Sequence, residues 1–235
     1  MTLSIIIPVR DENKVIKKTI INLNKHLSNK INLEILVIDD FSKDNTYNLV
    51  KSLNFDNVFI YKNKKKGIAH AIKIGIKKAS KDYTCIYMSD ESDSINDIKK
   101  YLKIMKMSNI DAVFGSRFIG GSRIKNYPKF KLFLNRIFNI LVKLIFLSNY
   151  NDFTNAFKIY KTVLLKKIII NHSISFDIFL EIPLKFINNN YSFHILPISW
   201  TQRKKNLSKF KIKEVGSKYF KVLVYCFMEK IGLLK

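Results

Sequence analysis

At 235 residues, 47% of them hydrophobic, the chain is long enough for one large domain with a substantial core, and its composition excludes a disordered protein. Its 42 Lys and Arg against 18 Asp and Glu leave a formal charge of +24, which favours an anionic partner: nucleic acid, anionic lipid or a phosphorylated substrate. The sign does not choose among these, because Lys, Ile and Asn are abundant throughout. Cys85 and Cys226 lie far apart and form no CxxC pair, so neither a disulfide framework nor a zinc site is expected, and a reducing compartment fits best.

Met1-Thr2-Leu3 leads straight into a strand-like run, so no secretory signal is expected. Ser4 to Val9 is a first buried strand, with Arg10-Asp11-Glu12-Asn13 at its carboxyl end. Asp11 to His26 then carries Val15, Ile16, Thr19, Ile20 and Leu23 at helical spacing. Leu33 to Ile38 is a second strand, apolar enough to be buried on both faces as in a parallel sheet. It stops at two adjacent carboxylates, Asp39 and Asp40, and Ser42 to Asn45 follows with turn and N-cap chemistry.

A helix from Asn45 to Leu53 and a strand from Asn57 to Tyr61 come next, then the basic run Lys62 to Lys66 and Gly67. Ile68 to Ala79 is a helix whose Ala69, Ala71 and Gly75 permit close packing. Tyr83 to Met88 is a strand running into Ser89-Asp90-Glu91-Ser92-Asp93. Asn96 to Met107 is a helix, and Asp111 to Gly115 a fifth strand ending in Ser116-Arg117. Strands alternating with helices at this pace imply a layered α/β fold around a mainly parallel sheet.

After residue 118 the rhythm changes. Leu132 to Leu147 is apolar but carries Asn135, Arg136, Asn139 and Lys143, and Tyr219 to Leu234 mixes aromatics with Lys221, Glu229 and Lys230. Neither is a run of about 18 uninterrupted apolar residues, so neither is expected to span a membrane. Each reads equally as a core helix or as a helix in a bilayer interface. Between them lie Asp152 to Asn155, a helical region around Phe176 to Phe186, a strand-like Phe193 to Ile198, and a basic loop from Trp200 to Lys213.

In a parallel sheet the polar strand ends converge on one edge. The expected result is a crevice with a carboxylate cluster beside basic groups. Carboxylates at such an edge suit Mg²⁺ or Mn²⁺ shared with substrate phosphates, and Arg117, Arg203 and the Lys62–Lys66 run could hold phosphate oxygens. A nucleic-acid-binding protein would instead interleave aromatics with basic residues on one face, and the carboxylate clusters argue against it.

These residues also resemble a family. SIIIPVRDEN from Ser4 is similar to the SIIIPxxNE opening of family 2 glycosyltransferases, and ILVIDDFSKDNT from Ile35 resembles their VVDDGSxDxT element. Asn63 with Gly67 to Gly75 is similar to NxGxxxAxxxG, Gly115 to Phe118 to GSRY, and Asp152 to Lys158 to DxTxGFK. Pro197 to Arg203, followed by Ser208-Lys209, resembles PIxWxxRxxGxSK. The ordered set spans roughly residues 4 to 210, and its last three members resemble the branch of dolichyl- and polyprenyl-phosphate mannosyl- and glucosyltransferases.

The resemblance implies a GT-A, Rossmann-like domain over residues 1–210, which leaves 211–235 as a basic amphipathic tail expected to associate with a membrane. It implies a GDP- or UDP-linked sugar donor held by Pro8, Arg10, Asp11 or Glu12, Asp39, Asp40, Lys66, Gly67 and Asp90. Mg²⁺ or Mn²⁺ would sit on Asp90 with Glu91 or Asp93, and Arg117 and Arg203 would bind phosphate. The acceptor implied is a polyprenyl phosphate at the inner membrane face, reached through peripheral helices or a membrane-protein partner, with no nucleic acid involved. A hydroxyl acceptor of a surface glycan is the alternative, with Asp152 the candidate base; a non-catalytic scaffold is the third. The sequence departs from the family pattern at Ser89 to Asp93, where the usual Asp-x-Asp is altered. It departs again at Phe41, Asn155-Ala156 and Asn206-Leu207, where glycines are usual.

Overall fold

Strand β1 (Thr2–Val9) is buried from Leu3 to Val9, because it lies inside a seven-stranded sheet with helices on both faces. The computed structural model describes residues 1–202 and 212–234, so Arg203, Ser208 and Lys209 lie outside the described residues. The remaining strands are β2 (Asn32–Asp39), β3 (Val58–Lys62), β4 (Tyr83–Ile86), β5 (Ala112–Ser116), β6 (Arg123–Lys125), β7 (Lys158–Lys161), β8 (Phe193–Pro197) and β9 (Ser199–Thr201). The sheet order is β3-β2-β1-β4-β7-β5-β8, while β6 and β9 pair as a separate parallel ribbon.

Every element expected between residues 4 and 116 is present, with shifted ends. The largest shift is in α1 (Ile16–Leu27), which starts after a loop in which Asp11 is left-handed, with φ of 53°. The other helices are α2 (Thr46–Lys51), α3 (Ile68–Lys78), α4 (Ile95–Met107), α5 (Lys129–Phe146), α6 (Thr162–Lys167), α7 (Ile178–Asn188) and α8 (Ile212–Lys230).

The sheet is mainly parallel, as expected, with one exception. β7 runs antiparallel between β4 and β5. Because it starts where β5 ends, opposite Phe114, the residues preceding it are delivered to the same edge as the carboxyl ends of the parallel strands. That topology, absent from the sequence reading, is what brings Asp152 to Ser116-Arg117.

α1, α2 and α4 cover one face through Ile20, Leu23, Val50, Ile98 and Tyr101. α3 and α5 to α8 cover the other through Ile72, Val142, Leu165, Leu180 and Val222. The approach of α3 to β1 depends on Gly75, where a Cβ would stand 2.4 Å from Ile6 Cγ2. The boundary expected at 210/211 does not separate two cores. Tyr219, Val222, Leu223 and Cys226 of α8 are buried in the same cluster as α5 and α7.

Gly115 couples this packing to the sheet edge. A Cβ there would meet Tyr101 Oη at 2.0 Å and the Phe157 carbonyl at 2.8 Å. Gly115→Ala is therefore expected to lower stability by about 1–3 kcal/mol in urea unfolding. An unchanged midpoint would show that β5 yields without strain.

Candidate active site

Strand order reverses direction between β1 and β4, since the chain winds outward through β2 and β3 before returning to β4. Ligands of open α/β sheets bind at the carboxyl ends of strands beside such a point. A cleft of about 680 Å³ opens there, flanked by Pro8-Val9-Arg10 after β1 and Met88-Ser89-Asp90 after β4.

Its polar wall is built by strand-end loops that hold one another. The backbone N–H groups of Asp11, Glu12 and Asn13 donate to Ser42 Oγ, Thr46 Oγ1 and Asp44 Oδ2 at 3.0, 2.9 and 3.2 Å, and Lys43 N–H donates to Asp11 Oδ1 at 2.6 Å. The polar Ser42–Asn45 stretch thus latches the loop after β1. Asn45, at the start of α2, makes no side-chain cap bond. Phe41 keeps the left-handed conformation usual for glycine, with φ of 59°, an uncommon state for a bulky residue. Asp40 Oδ1 accepts from Asn63 Nδ2 and from Gly67 N–H, each at 2.8 Å, and so shapes the loop leading into α3.

Seven of the expected residues line the cleft: Pro8, Arg10, Glu12, Asp40, Gly67, Asp90 and Arg117. Asp39 is buried beside them with Oδ1 lacking a hydrogen-bond partner. Lys66 is exposed and outside the lining, because the run it ends is a solvated loop.

The three acids expected to supply Asp90 and one partner diverge after β4, and among the described residues no three His, Cys, Asp or Glu converge on a metal position. Glu91 adopts φ of 54°, which turns its carboxylate to α1, where Lys18 Nζ donates at 2.7 Å and Asn22 Nδ2 at 2.6 Å. Asp93 forms an isolated backbone bridge with Trp200 and is buried, with Oδ1 unpartnered. Burial and the neighbouring Asp90 push its carboxyl up to about 8. Asp90 alone of the three faces the cleft.

Arg117 and Asp152 form the most enclosed charged pair. Arg117 Nε donates to Oδ2 at 2.8 Å, Nη2 to Oδ1 at 2.7 Å, and the Arg117 backbone N–H to Oδ2 at 2.9 Å. Asp152 is fully buried. Burial works against the guanidinium charge, but Asp152 outweighs it and raises the arginine above its usual range. Asp152 is therefore corrected from candidate base to the group that holds Arg117, both its oxygens engaged. Around the guanidinium stand the rings of Phe118, Trp200 and Tyr127 at 5.2, 5.5 and 5.7 Å.

Sequence reasoning missed the second wall: Tyr127, Leu134, Phe138, Phe176, Trp200 and Tyr219, from α5, α8, β9 and the loops beside them. The asparagines interrupting the apolar α5 were its signal. Asn135 and Asn139 both donate to Thr154 Oγ1, at 2.9 and 3.2 Å, tying α5 to the turn that carries Asp152. Lys158 was missed as well. It is buried, bonds the carbonyls of Phe153 and Asn155, and so fastens the same turn. Burial pulls its ammonium down to about 7, against the opposing pull of Asp152.

Comparison with known proteins bears on this geometry. The profile of Glycosyl transferase family 2 matches residues 4–169. A dolichol-phosphate mannosyltransferase of Pyrococcus furiosus is 27% identical over 221 residues, covering 92% of this chain and 61% of that protein, so the chain spans about three fifths of this relative. A polyprenol monophosphomannose synthase of Mycolicibacterium smegmatis is 24% identical over 198 residues, covering 81% of this chain and 75% of its own length. The solved glucosyl-3-phosphoglycerate synthase of Mycobacterium tuberculosis superposes with a TM-score of 0.74 at 12% identity, covering 100% of this chain and 81% of that one. The same synthase has been solved with Mn²⁺ and uridine diphosphate. The shared fold is GT-A.

Two variants test the buried charges. Asp152→Asn leaves Arg117 without its counter-charge and is expected to cost about 3–5 kcal/mol in denaturant unfolding; a loss below about 1 kcal/mol would show the pair to be dispensable. Lys158 binds its proton less tightly folded, at about 7, than in an unfolded chain near 10.5, so the unfolded state holds more protons between those values. Its contribution to stability is full above the upper value and lost as pH falls through the lower. The melting temperature of the unaltered protein should accordingly rise relative to that of Lys158→Met as pH goes from about 7 to about 10. Parallel curves would contradict the assignment.

Proposed function

The chain belongs to glycosyl transferase family 2, and we propose that it moves a sugar from a GDP- or UDP-linked donor to a polyprenyl phosphate, with inversion at the anomeric carbon. The observation that carries this reading is the contrast between the two walls of one cleft. Arg10, Glu12, Asp40 and Asp90 stand on strand ends, while Leu134, Phe138, Phe176 and Tyr219 stand opposite on helices and a loop. Arg117 sits among the aromatics of the apolar wall. A guanidinium embedded in apolar surface suits an anionic phosphate carried on a hydrocarbon chain. The names of the archaeal and mycobacterial relatives point to the same acceptor class.

On the polar side Pro8, Arg10, Glu12 and Gly67 would receive the nucleotide, and the unpartnered Asp39 Oδ1 is an acceptor for a nucleoside N–H or O–H. Mg²⁺ and Mn²⁺ use one or two carboxylates and complete their shells with phosphate oxygens and water. Asp90 in the cleft therefore fits such an ion, with Asp93 close behind it and Glu91 not taking part. Bound there, the ion would neutralise charge on the departing nucleoside diphosphate.

In the transfer an acceptor phosphate oxygen bonds to the anomeric carbon as the bond from that carbon to the donor diphosphate breaks. The acceptor is already anionic and needs no base. A hydroxyl acceptor would require one, and Asp152 is committed to Arg117. That favours the lipid phosphate. This reading sets the transfer at the cytoplasmic face of a membrane, with the protein bound peripherally. Among the described residues no helix is long and apolar enough to cross a membrane.

With a panel of nucleotide sugars, Mg²⁺ or Mn²⁺ and polyprenyl phosphate, the purified protein is expected to release nucleoside diphosphate only when lipid is present. EDTA should abolish that release, and Asp90→Ala should slow it at least about a hundredfold. Release without lipid would transfer the assignment to a hydroxyl acceptor. Absence of metal-dependent donor binding would leave a non-catalytic scaffold.

A further inference from the structure

Helix α5 has three flanks. Asn139, Val142 and Phe146 are buried in the core. Lys131, Leu134, Asn135 and Phe138 line the cleft. The outer flank is Phe130, Phe133, Ile137, Ile140, Leu141 and Leu144, each between 46% and 72% exposed. Spaced three and four residues apart, these six form one continuous apolar row. Lys129, Arg136 and Lys143, seven apart, make a basic strip along its border; Arg136 lies one turn from both Phe133 and Ile140.

α8 carries a second exposed apolar row. It packs beside α5 through Tyr219 against Phe138, ring centroids 5.7 Å apart, and through Lys230 over the Phe146 ring at 5.2 Å. Its own Phe220, Val224 and Phe227, with Ile231 just past its end, recur at helical spacing and are 38% to 62% exposed. Water-facing surfaces carry single hydrophobic residues, not rows of this length.

We propose that α5 and α8 dock the protein on an anionic bilayer, with the apolar row in the headgroup–acyl boundary and the basic strip on anionic headgroups. Charge decides between a bilayer and a second copy of the chain. A two-fold contact through this face would bring the strip close to its own copy in chains of +24 each, whereas anionic lipid neutralises it. The inference deepens the acceptor reading and rests on it for its consequence. Because the docking helix is also a cleft wall, a lipid phosphate would reach Arg117 while its chain stays in apolar surroundings.

Co-sedimentation of the full chain with vesicles tests the surface without sugar or acceptor, so its outcome is separable from that of the transfer assay. The protein should bind vesicles of equal parts phosphatidylcholine and phosphatidylglycerol, and bind phosphatidylcholine alone far more weakly. Phe130→Glu/Phe133→Glu/Leu144→Glu should lower binding at least about tenfold. Lys129→Glu/Lys143→Glu should lower it about tenfold on the anionic vesicles only. Circular dichroism and metal-dependent donor binding should be unchanged in both variants. Failure of the unaltered protein to bind anionic vesicles, or full binding by the triple variant, would overturn the proposal. So would a dimer that the triple variant dissociates with vesicle binding intact.

Discussion

The site depends on one buried ion pair. Asp152 grips Arg117 through two guanidinium nitrogens and the backbone N–H, inside a shell of aromatic rings. Burying such a pair seldom adds net stability, since the desolvation of both charges offsets their attraction, and apolar replacements often do as well. What the pair supplies is position. Two bonds fix the guanidinium on the apolar wall, where a flexible arginine would otherwise sample many rotamers, and the third, from the backbone N–H, holds Asp152 in place. The surroundings serve the same end: Tyr150 and Asn155 both donate to the Gly115 carbonyl, and Lys158 fastens the turn from the other side.

Much of this was legible in the sequence. Strands buried on both faces read as unbroken apolar runs, so their ends were marked by the first polar residues, and Arg10, Asp40, Asp90 and Arg117 fall at those ends. What escaped was set by long-range topology and by local backbone conformation. β7 is four residues long and carries a buried lysine, so nothing in its pattern announces a strand, still less an antiparallel one. Glu91 looked like a possible partner ligand to Asp90 because spacing cannot register a left-handed turn; its φ of 54° sends the carboxylate to α1. The apolar segment around residue 139 is a core helix on one flank alone. α5 has a core flank, a cleft flank and an exposed flank, and a sequence window averages all three.

The same chain of constraints links the cleft to its surroundings. Asn135 and Asn139 bind α5 to the turn of Asp152, and Tyr219 binds α8 to the loop of Phe176 by donating to its carbonyl at 2.9 Å. α5 is thus hydrogen-bonded to the turn that places Arg117, and α8 to a loop that lines the same cleft. Polar wall, apolar wall and outer surface form one connected structure.

The most direct test is a structure of the protein with a nucleoside diphosphate, Mn²⁺ and a short-chain polyprenyl phosphate. The account predicts the diphosphate and metal beside Asp90, the lipid phosphate within hydrogen-bond distance of Arg117, and the prenyl chain along Leu134, Phe138 and Tyr219. A lipid phosphate bound away from Arg117, with that guanidinium still closed beneath Trp200 and Tyr127, would contradict it.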